Sequence, residues 1–349
     1  MPELELIVPS KHQLHRPPSY HPERPERMEI AISGLRESGF DLRMRHPEPR
    51  GAEILTKVHE GAYVDHVRRE CERGPGYLDV ETYVTEHSFE AALEAACCAY
   101  EAAESVAEGE WLAISLARPP GHHAGRSGRA MGCPTLGFCL FNNAALAASA
   151  LLERGIRPVM ILDFDLHHGN GTQDIFWYDP DVLHVDLHDA HEYPGTGWPE
   201  EVGEGAAAGT KVNVPLLPES GDEEYAFILG RVLPPLISHF RPRALIVSAG
   251  FDAHSGEGMG HLSLSSKLYR YMGGFLRELS EAEGMRIVVV LEGGYSSGLR
   301  LGLPSFIRGL CEGGEPIEGR LERGSRQHVM LMRLRDALER SLSGFTMDV

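Results

Sequence analysis

The sequence predicts an α/β fold in which helices cover both faces of a central, mainly parallel sheet, and three observations predict it. Short runs rich in β-branched residues are apolar throughout rather than alternating, stretches of helical periodicity separate them, and the order along the chain is broadly strand then helix. The first apolar run is 111–116 (WLAISL), followed by 158–165 (PVMILDFD), 182–187 (VLHVDL), 244–248 (ALIVS) and 286–291 (RIVVVL). A strand without polar alternation is buried on both faces, the condition of a parallel strand between two helical layers. The expected helices are 23–38, 60–71, 88–108, 140–154, 222–239 and 264–283. Long loops are expected at 119–137 and 195–209, and loops of that length in a compact domain are commonly functional. In doubly wound sheets ligands bind outside the carboxyl ends of the strands, so those ends are where chemistry is sought.

One large α/β domain, 1–349, is the expected organisation, because such sheets often reach this length around a single core. With 42% hydrophobic and 24% charged residues the chain buries a sizeable core, and disorder is not expected. The formal net charge of −18, from 33 Lys and Arg against 51 Asp and Glu, repels phosphate backbones. It argues against direct nucleic-acid binding and for a cationic partner, although solubility alone also favours such a surface. The six cysteines, at 71, 97, 98, 133, 139 and 311, form no CxxC pair and read as buried or free thiols. No run of about 18 apolar residues occurs, and the N-terminus lacks a basic start followed by an apolar core. No membrane association and a cytoplasmic location are therefore expected.

Reactive residues gather where the strands end. His122 and His123 follow WLAISLARPPG; Asp163, Asp165, His167 and His168 lie in DFDLHHGNG; Asp252 lies in SAGFDAH and Tyr295 in LEGGY. In an extended backbone, Asp163, Asp165 and His167 turn their side chains to one face, which is ligand spacing. Carboxylate oxygen and imidazole nitrogen suit Zn²⁺, and a catalytic zinc keeps three protein ligands and one open position. Asp252 is the natural third ligand, because a carboxylate ending a buried run needs a compensating charge. Each piece alone has a plainer explanation. A lone Asp-x-His is more often a hydrogen-bonded pair, an HH dipeptide is common on surfaces, and Gly293 and Gly294 serve a tight turn equally well. Four strand ends delivering such residues to one rim favours a site over packing.

Taken together, RPPGHH (118–123), GFCLFNNAA (137–145), DFDLHHGNGTQDIF (163–176), YPGTG (193–197), NVPL (213–216), SAGFDAH (248–254) and LEGGY (291–295) resemble the histone deacetylase superfamily. That superfamily also holds acetylpolyamine amidohydrolases and acetoin-utilisation proteins, and the likeness, closest to class II-like prokaryotic members, runs from about residue 20 to about residue 300. The resemblance implies an arginase/deacetylase-like fold and a zinc-dependent amidohydrolase that removes acyl groups from lysine side chains or small acylated amines. It implies that Asp165, His167 and Asp252 bind the metal and that His122 and His123 form a tandem pair, with Asp163 supporting His122. His123 would serve as base and then acid, and Tyr295 as oxyanion donor. Phe138 would wall an acyl-lysine tunnel, with Gly137, His188, Met259 and Gly293 around the substrate, and Arg27 would line a channel for acetate. A K⁺ ion would lie near Asp163 and Asp186, with backbone carbonyls of Asp165, His167 and Leu187.

The chain departs from the family pattern in four places. Asn170 stands where many members carry an aspartate beside the second histidine, which leaves His123 a weaker base. A second aromatic wall of the tunnel is expected to be missing, with Ala190 or His191 near that place. Met259 occupies the position of a glutamate gatekeeper in polyamine-selecting relatives, leaving Asp189 or Glu192 as substitutes. Extra residues between His123 and Phe138 form a lid or an interface. An Asp/His/Asp set also accepts Fe²⁺ or Co²⁺. The expected partner is an acylated lysine of a protein or peptide, or a small acylated amine, and a homo-oligomer is compatible with the acidic surface. The competing readings are an acetylpolyamine amidohydrolase, a non-catalytic acyl-lysine binding protein that retains a metal, and a binuclear manganese hydrolase of the arginase type.

Overall fold

A computed structural model describes residues 3–349. In chain order the strands are β1 (Glu3–Ile7), β2 (Asp41–Arg45), β3 (Gly76–Tyr77), β4 (Tyr83–Val84), β5 (Leu112–Ser115), β6 (Val159–Asp163), β7 (Val182–Asp189), β8 (Lys211–Leu216), β9 (Ala244–Ala249) and β10 (Arg286–Leu291). The helices are α1 (Glu26–Glu37), α2 (Gly61–Glu72), α3 (Ser88–Glu108), α4 (Asn143–Glu153), α5 (Asn170–Ile175), α6 (Asp222–Phe240), α7 (Ser266–Glu283), α8 (Leu303–Glu312) and α9 (Arg326–Ser341). Eight strands form one sheet in the order β2-β1-β5-β10-β9-β6-β7-β8, every pairing parallel, while β3 and β4 form a separate antiparallel hairpin. All five apolar runs and all six helical stretches expected from the sequence are present within a few residues.

Because successive side chains in a strand point to opposite faces, each inner strand feeds two cores. Met160 and Leu162 of β6, with Leu245 and Val247 of β9 and Ile287 and Val289 of β10, pack into one cluster with α6, α7 and α8. Val159, Ile161, Ile246, Val288 and Val290 point the other way, into a cluster with α3 and α4. Each fully buried aliphatic side chain contributes roughly 1.5–3 kcal/mol, and the double-sided arrangement explains why polar alternation is missing. The helix starts are set locally. Asn142 accepts from Ala145 N to cap α4, and Ser265 accepts from Lys267 N to cap α7.

Three sheet strands, β1, β2 and β8, lack the continuous apolar signature. At one edge, β2 carries Arg43 and Arg45, whose guanidiniums reach Glu5 of β1, and charges on an edge strand discourage further pairing. At the other, β8 is fully buried yet contains Lys211 and Pro215. Lys211 Nζ satisfies itself on Val182 O at 2.7 Å and Thr210 Oγ1 at 2.6 Å. Gln327 of α9 bridges the end of β8, donating to Pro215 O at 3.2 Å and accepting from Leu217 N at 2.8 Å. Among the described residues no helix is long and apolar enough to cross a membrane.

The register positions the site. Asp163 pairs with Ser248 and Leu291 with Ala249, so β6, β9 and β10 end at one level. The strand order reverses at β6, with β7 on one side and β9 on the other, which opens a crevice at their carboxyl ends.

The contact between α7 and α8 is close enough to need glycine: a Cβ on Gly273 would lie 2.2 Å from Phe306 O. Gly273→Ala is expected to destabilise the chain by about 1–3 kcal/mol through overpacking. Chemical denaturation measures it, and an unchanged midpoint would show that the helices separate freely.

Candidate active site

The segments leaving β5, β6, β9 and β10 converge on a narrow cavity of about 80 Å³ lined by Pro120, His122, His123, Gly137, Phe138, Asp165, His167, Tyr193, Met259, Gly293 and Tyr295, with Glu81 at its edge. Larger hollows elsewhere, of about 470 and 560 Å³, hold no comparable gathering of histidine and carboxylate. Chemistry rather than volume singles out the small one.

Asp165, His167 and Asp252 bring one ligand atom each to within 4.8 Å of the others. His167 Nδ1 lies 3.1 Å from Asp165 Oδ1 and 3.2 Å from Asp252 Oδ2. The remaining oxygens are tied to backbone amides: Asp165 Oδ2 accepts from Gly293 N at 2.7 Å and Asp252 Oδ1 from Leu166 N at 3.0 Å. Asp252 Oδ2 is buried, and the polar atom facing it is the His167 Nδ1 that Asp165 Oδ1 also faces, so two carboxylates converge on one imidazole. Gly293 makes room for them, since a Cβ there would lie 2.3 Å from Asp252 Oδ2 and 2.4 Å from Asp165 Oδ2. Its glycine is required by space, not by a turn. Two carboxylates and one imidazole are a donor set that fits one divalent ion.

The electrostatics run in the same direction. Burial would raise the Asp165 carboxyl, but His122 and then His167 beside it hold it far below the usual carboxylate range. Burial pushes Asp252 up to about 6, with Asp165 adding to the effect. Burial disfavours the charged form of His167, yet its bonds to Asp165 and Asp252 outweigh this and bring it up to about 10. The cluster calls for positive charge at its centre.

The tandem histidines are set apart by their neighbours. His122 Nδ1 meets Asp163 Oδ2 at 3.0 Å, and His123 Nδ1 meets Asn170 Oδ1 at 2.8 Å. Burial opposes protonation of both. At His122 the charges of Asp165 and Asp163 prevail and raise it well above the ordinary histidine value. At His123 burial prevails, reinforced by the charges of His122 and His167, and the ring is held well below that value. The result is an imidazolium next to a neutral imidazole. Burial also keeps the Tyr295 phenol well above its ordinary value, so it remains a donor.

Several expected residues stand elsewhere than expected. The second aromatic wall is present: Tyr193, two residues beyond His191, lines the cavity, its ring 4.8 Å from His123 and edge-on to it, its hydroxyl donating to Thr135 O at 2.9 Å. The tyrosine just before PGTG is the signal that locates it. His188 does not line the cavity; it lies behind it, Nδ1 on Asp186 Oδ1 at 2.7 Å and its ring against His168. Asp163, His184 and Asp186 form a second buried cluster, and Leu187 runs on in β7 beside them. Arg27 is buried beneath Tyr295, its guanidinium 4.7 Å from the ring centre, and donates through Nε to Gly294 O at 2.6 Å. Asp189 is already engaged by His261 N at 2.6 Å and His191 N at 2.9 Å. The segment between His123 and Phe138 is bound down, by Asn170 to Ala130 O at 3.2 Å and by Asp79 to Leu136 N at 2.8 Å. Glu292 is a residue the sequence did not single out; its Oε2 accepts from Gly121 N at 2.7 Å and His122 N at 3.2 Å, fixing the histidine loop.

A family profile described as "Histone deacetylase domain" matches residues 21–306. A protein of Archaeoglobus fulgidus named "Probable deacetylase" is 37% identical, covering 83% of this chain and 81% of its own length. A "Histone deacetylase-like amidohydrolase" of Pseudomonas aeruginosa is 37% identical, covering 79% of this chain and 73% of its own. Among solved structures, a crystal structure of the "HDA15 HD domain" superposes with a TM-score of 0.85 at 32% identity, over 96% of each chain.

If Asp252 belongs to the ligand set, Asp252→Asn is expected to weaken binding of a divalent ion by more than the roughly 10- to 100-fold of an indirect ligand contact. Metal analysis after dialysis against a buffered ion measures it, with circular dichroism as the folding control. Full stoichiometry in the variant would remove Asp252 from the set.

Proposed function

The chain belongs to the histone deacetylase family, and from that premise we propose that it is a zinc-dependent amidohydrolase removing acetyl or other short acyl groups from lysine side chains or small acylated amines. The observation that carries this reading is the pair His122 and His123, driven in opposite directions beside an Asp165/His167/Asp252 cluster at a narrow cavity. Neighbouring titratable groups held apart in this way are the signature of divided acid and base roles.

Asp165, His167 and Asp252 would hold the ion, and a divalent zinc there supplies Lewis acidity towards the amide carbonyl and acidifies water. His123 is neutral and has Nδ1 fixed on Asn170, which leaves Nε2 to take the proton of the attacking water and pass it to the departing amine. Tyr295 donates its hydroxyl to the oxyanion that develops on the carbonyl oxygen. His122, charged and braced by Asp163, orients and stabilises without exchanging its proton. Phe138 and Tyr193 flank the alkyl chain, and about 80 Å³ suits a short acyl group. The buried carboxylates of Asp163 and Asp186, with backbone carbonyls of Asp165, His167 and Leu187, support a structural K⁺ ion. Met259 at the cavity wall has no carboxylate, whereas Glu81 stands at the cavity edge, so this reading includes both acyl-lysine in a protein or peptide and a small acylated amine with a distal ammonium. The presence of Tyr295 argues against a purely binding role.

Metal-loaded protein is expected to hydrolyse acetyl-lysine peptides, and absence of turnover on acetyl-lysine, acetylpolyamine and longer acyl amides alike would refute the reading. Tyr295→Phe is expected to lower kcat by roughly 100- to 1,000-fold with little change in KM. The pH profile follows from His123. A base held below its ordinary value stays neutral into acid, so kcat/KM should remain level below the usual imidazole pKa of about 6.5. In Asn170→Asp a carboxylate favours the imidazolium, and the acid limb should move to higher pH; a limb unmoved by this change would show that another group is the base.

A further inference from the structure

Tyr295 is held from two sides. Arg27 takes the carbonyls before it, donating to Glu292 O and Gly294 O and stacking on the ring. The amides after it converge on one carboxylate from a different loop. Glu257 Oε1 accepts from Tyr295 N at 3.1 Å, Ser296 N at 2.8 Å and Gly298 N at 2.7 Å, and Oε2 accepts from Ser296 Oγ at 2.9 Å. Glu257 lies in the segment after β9, between Asp252 and Met259, while Tyr295 follows β10. It is half-buried, and its own backbone is fixed by donation from its N–H to His254 O at 2.8 Å. His254 in turn is tied to Ser266 Oγ at 2.9 Å.

We propose that Glu257 is the positioning residue for Tyr295, a carboxylate clasp that locks the loop after β10 to the loop after β9 and so sets where the phenol hydroxyl points. The inference rests on the amide-hydrolysis reading for its effect on catalysis, and on geometry alone for the clasp. Backbone N–H groups that converge on one carboxylate make charge-assisted bonds roughly twice as strong as neutral ones. Without the carboxylate, three amides and a hydroxyl lose their common acceptor, and Tyr295 is left with Arg27 on one side only. The clasp also fixes Met259 relative to Tyr295, so the side wall and the oxyanion donor keep one spacing. Glu257 touches neither the metal cluster nor the tandem histidines among the contacts above, and its effect should pass through Tyr295.

The test combines hydrogen exchange with a double-mutant cycle on the metal-loaded full chain. Glu257→Ala is expected to abolish exchange protection at the amides of Tyr295, Ser296 and Gly298. It should also lower kcat on an acetyl-lysine peptide by about ten- to a hundredfold at unchanged KM and metal content, a range set by couplings of contacting residues. Glu257→Gln keeps an acceptor oxygen and should restore most of both. In the Tyr295→Phe background Glu257→Ala should cost nothing further. Unchanged exchange at the amides of Tyr295, Ser296 and Gly298, or an equal kcat loss with and without the Tyr295 hydroxyl, would overturn the proposal. Glu257→Asp, which keeps the charge and shortens the reach, carries the same comparison should the alanine variant not fold. A wild-type chain without turnover would instead strike the hydrolase reading, and a fully active Tyr295→Phe the oxyanion role of Tyr295, while the exchange result still decides the clasp.

Discussion

Three carboxylates, Asp163, Asp165 and Asp252, are buried together at the ends of parallel strands, and the remainder of the site is arranged around making that tolerable. An ion removed from water costs several kcal/mol unless partners replace the water, and like charges side by side add to the cost. The partners here are backbone amides at Asp165, Leu166, His167 and Gly293 and the rings of His122 and His167. They do not suffice, since the one Nδ1 of His167 faces both Asp165 Oδ1 and Asp252 Oδ2. A divalent cation at that point removes the deficit, which makes ion binding and the local fold one thermodynamic problem.

The sheet provides this concentration of charge because it is parallel. Every inner strand exits on the same rim, and a register that aligns Asp163 with Ser248 and Leu291 with Ala249 brings three loops to one depth. Apolar side chains on both faces of β6, β9 and β10 then anchor the loops to a rigid base. Function is thus written in residues just past the strands, two to four positions for Asp165, His167, Asp252 and Tyr295 and seven and eight for His122 and His123, where the backbone is held but the side chains are free of packing duty.

This division decides what was legible in the sequence. The inner strands were visible because double-sided burial leaves uninterrupted apolar runs, and the family motifs located Asp165, His167, Asp252 and the tandem histidines at the cavity. β2 was hidden by the charges that protect an edge, and β8 by Lys211 and Pro215, whose polar groups are satisfied by carbonyls and by α9. Proximity in sequence points to Ala190 and His191, whereas the chain runs on before Tyr193 reaches the wall. His188 shares a strand face with Asp186 two residues before it, and the bond between them holds it off the cavity lining. Glu257 has no local signature at all: its meaning lies in three amides about forty residues away.

The two adjacent histidines show why residue identity alone does not assign a role. His122 and His123 share a dipeptide, are equally buried and lie with their rings 4.0 Å apart. What separates them is the charge around each ring: Asp165 and then Asp163, which meets Nδ1, for one, and for the other the charges of His122 and His167 with only the amide oxygen of Asn170 on Nδ1. The carboxylates make an imidazolium affordable for His122, and that charge then makes a second one prohibitive for His123. Each ring's protonation state is therefore conditional on the other's, and the neutral base exists because its neighbour is charged. A carboxylate at both positions would weaken that asymmetry; the hydrogen bond to Asn170 also raises His123, but the amide does so without a charge.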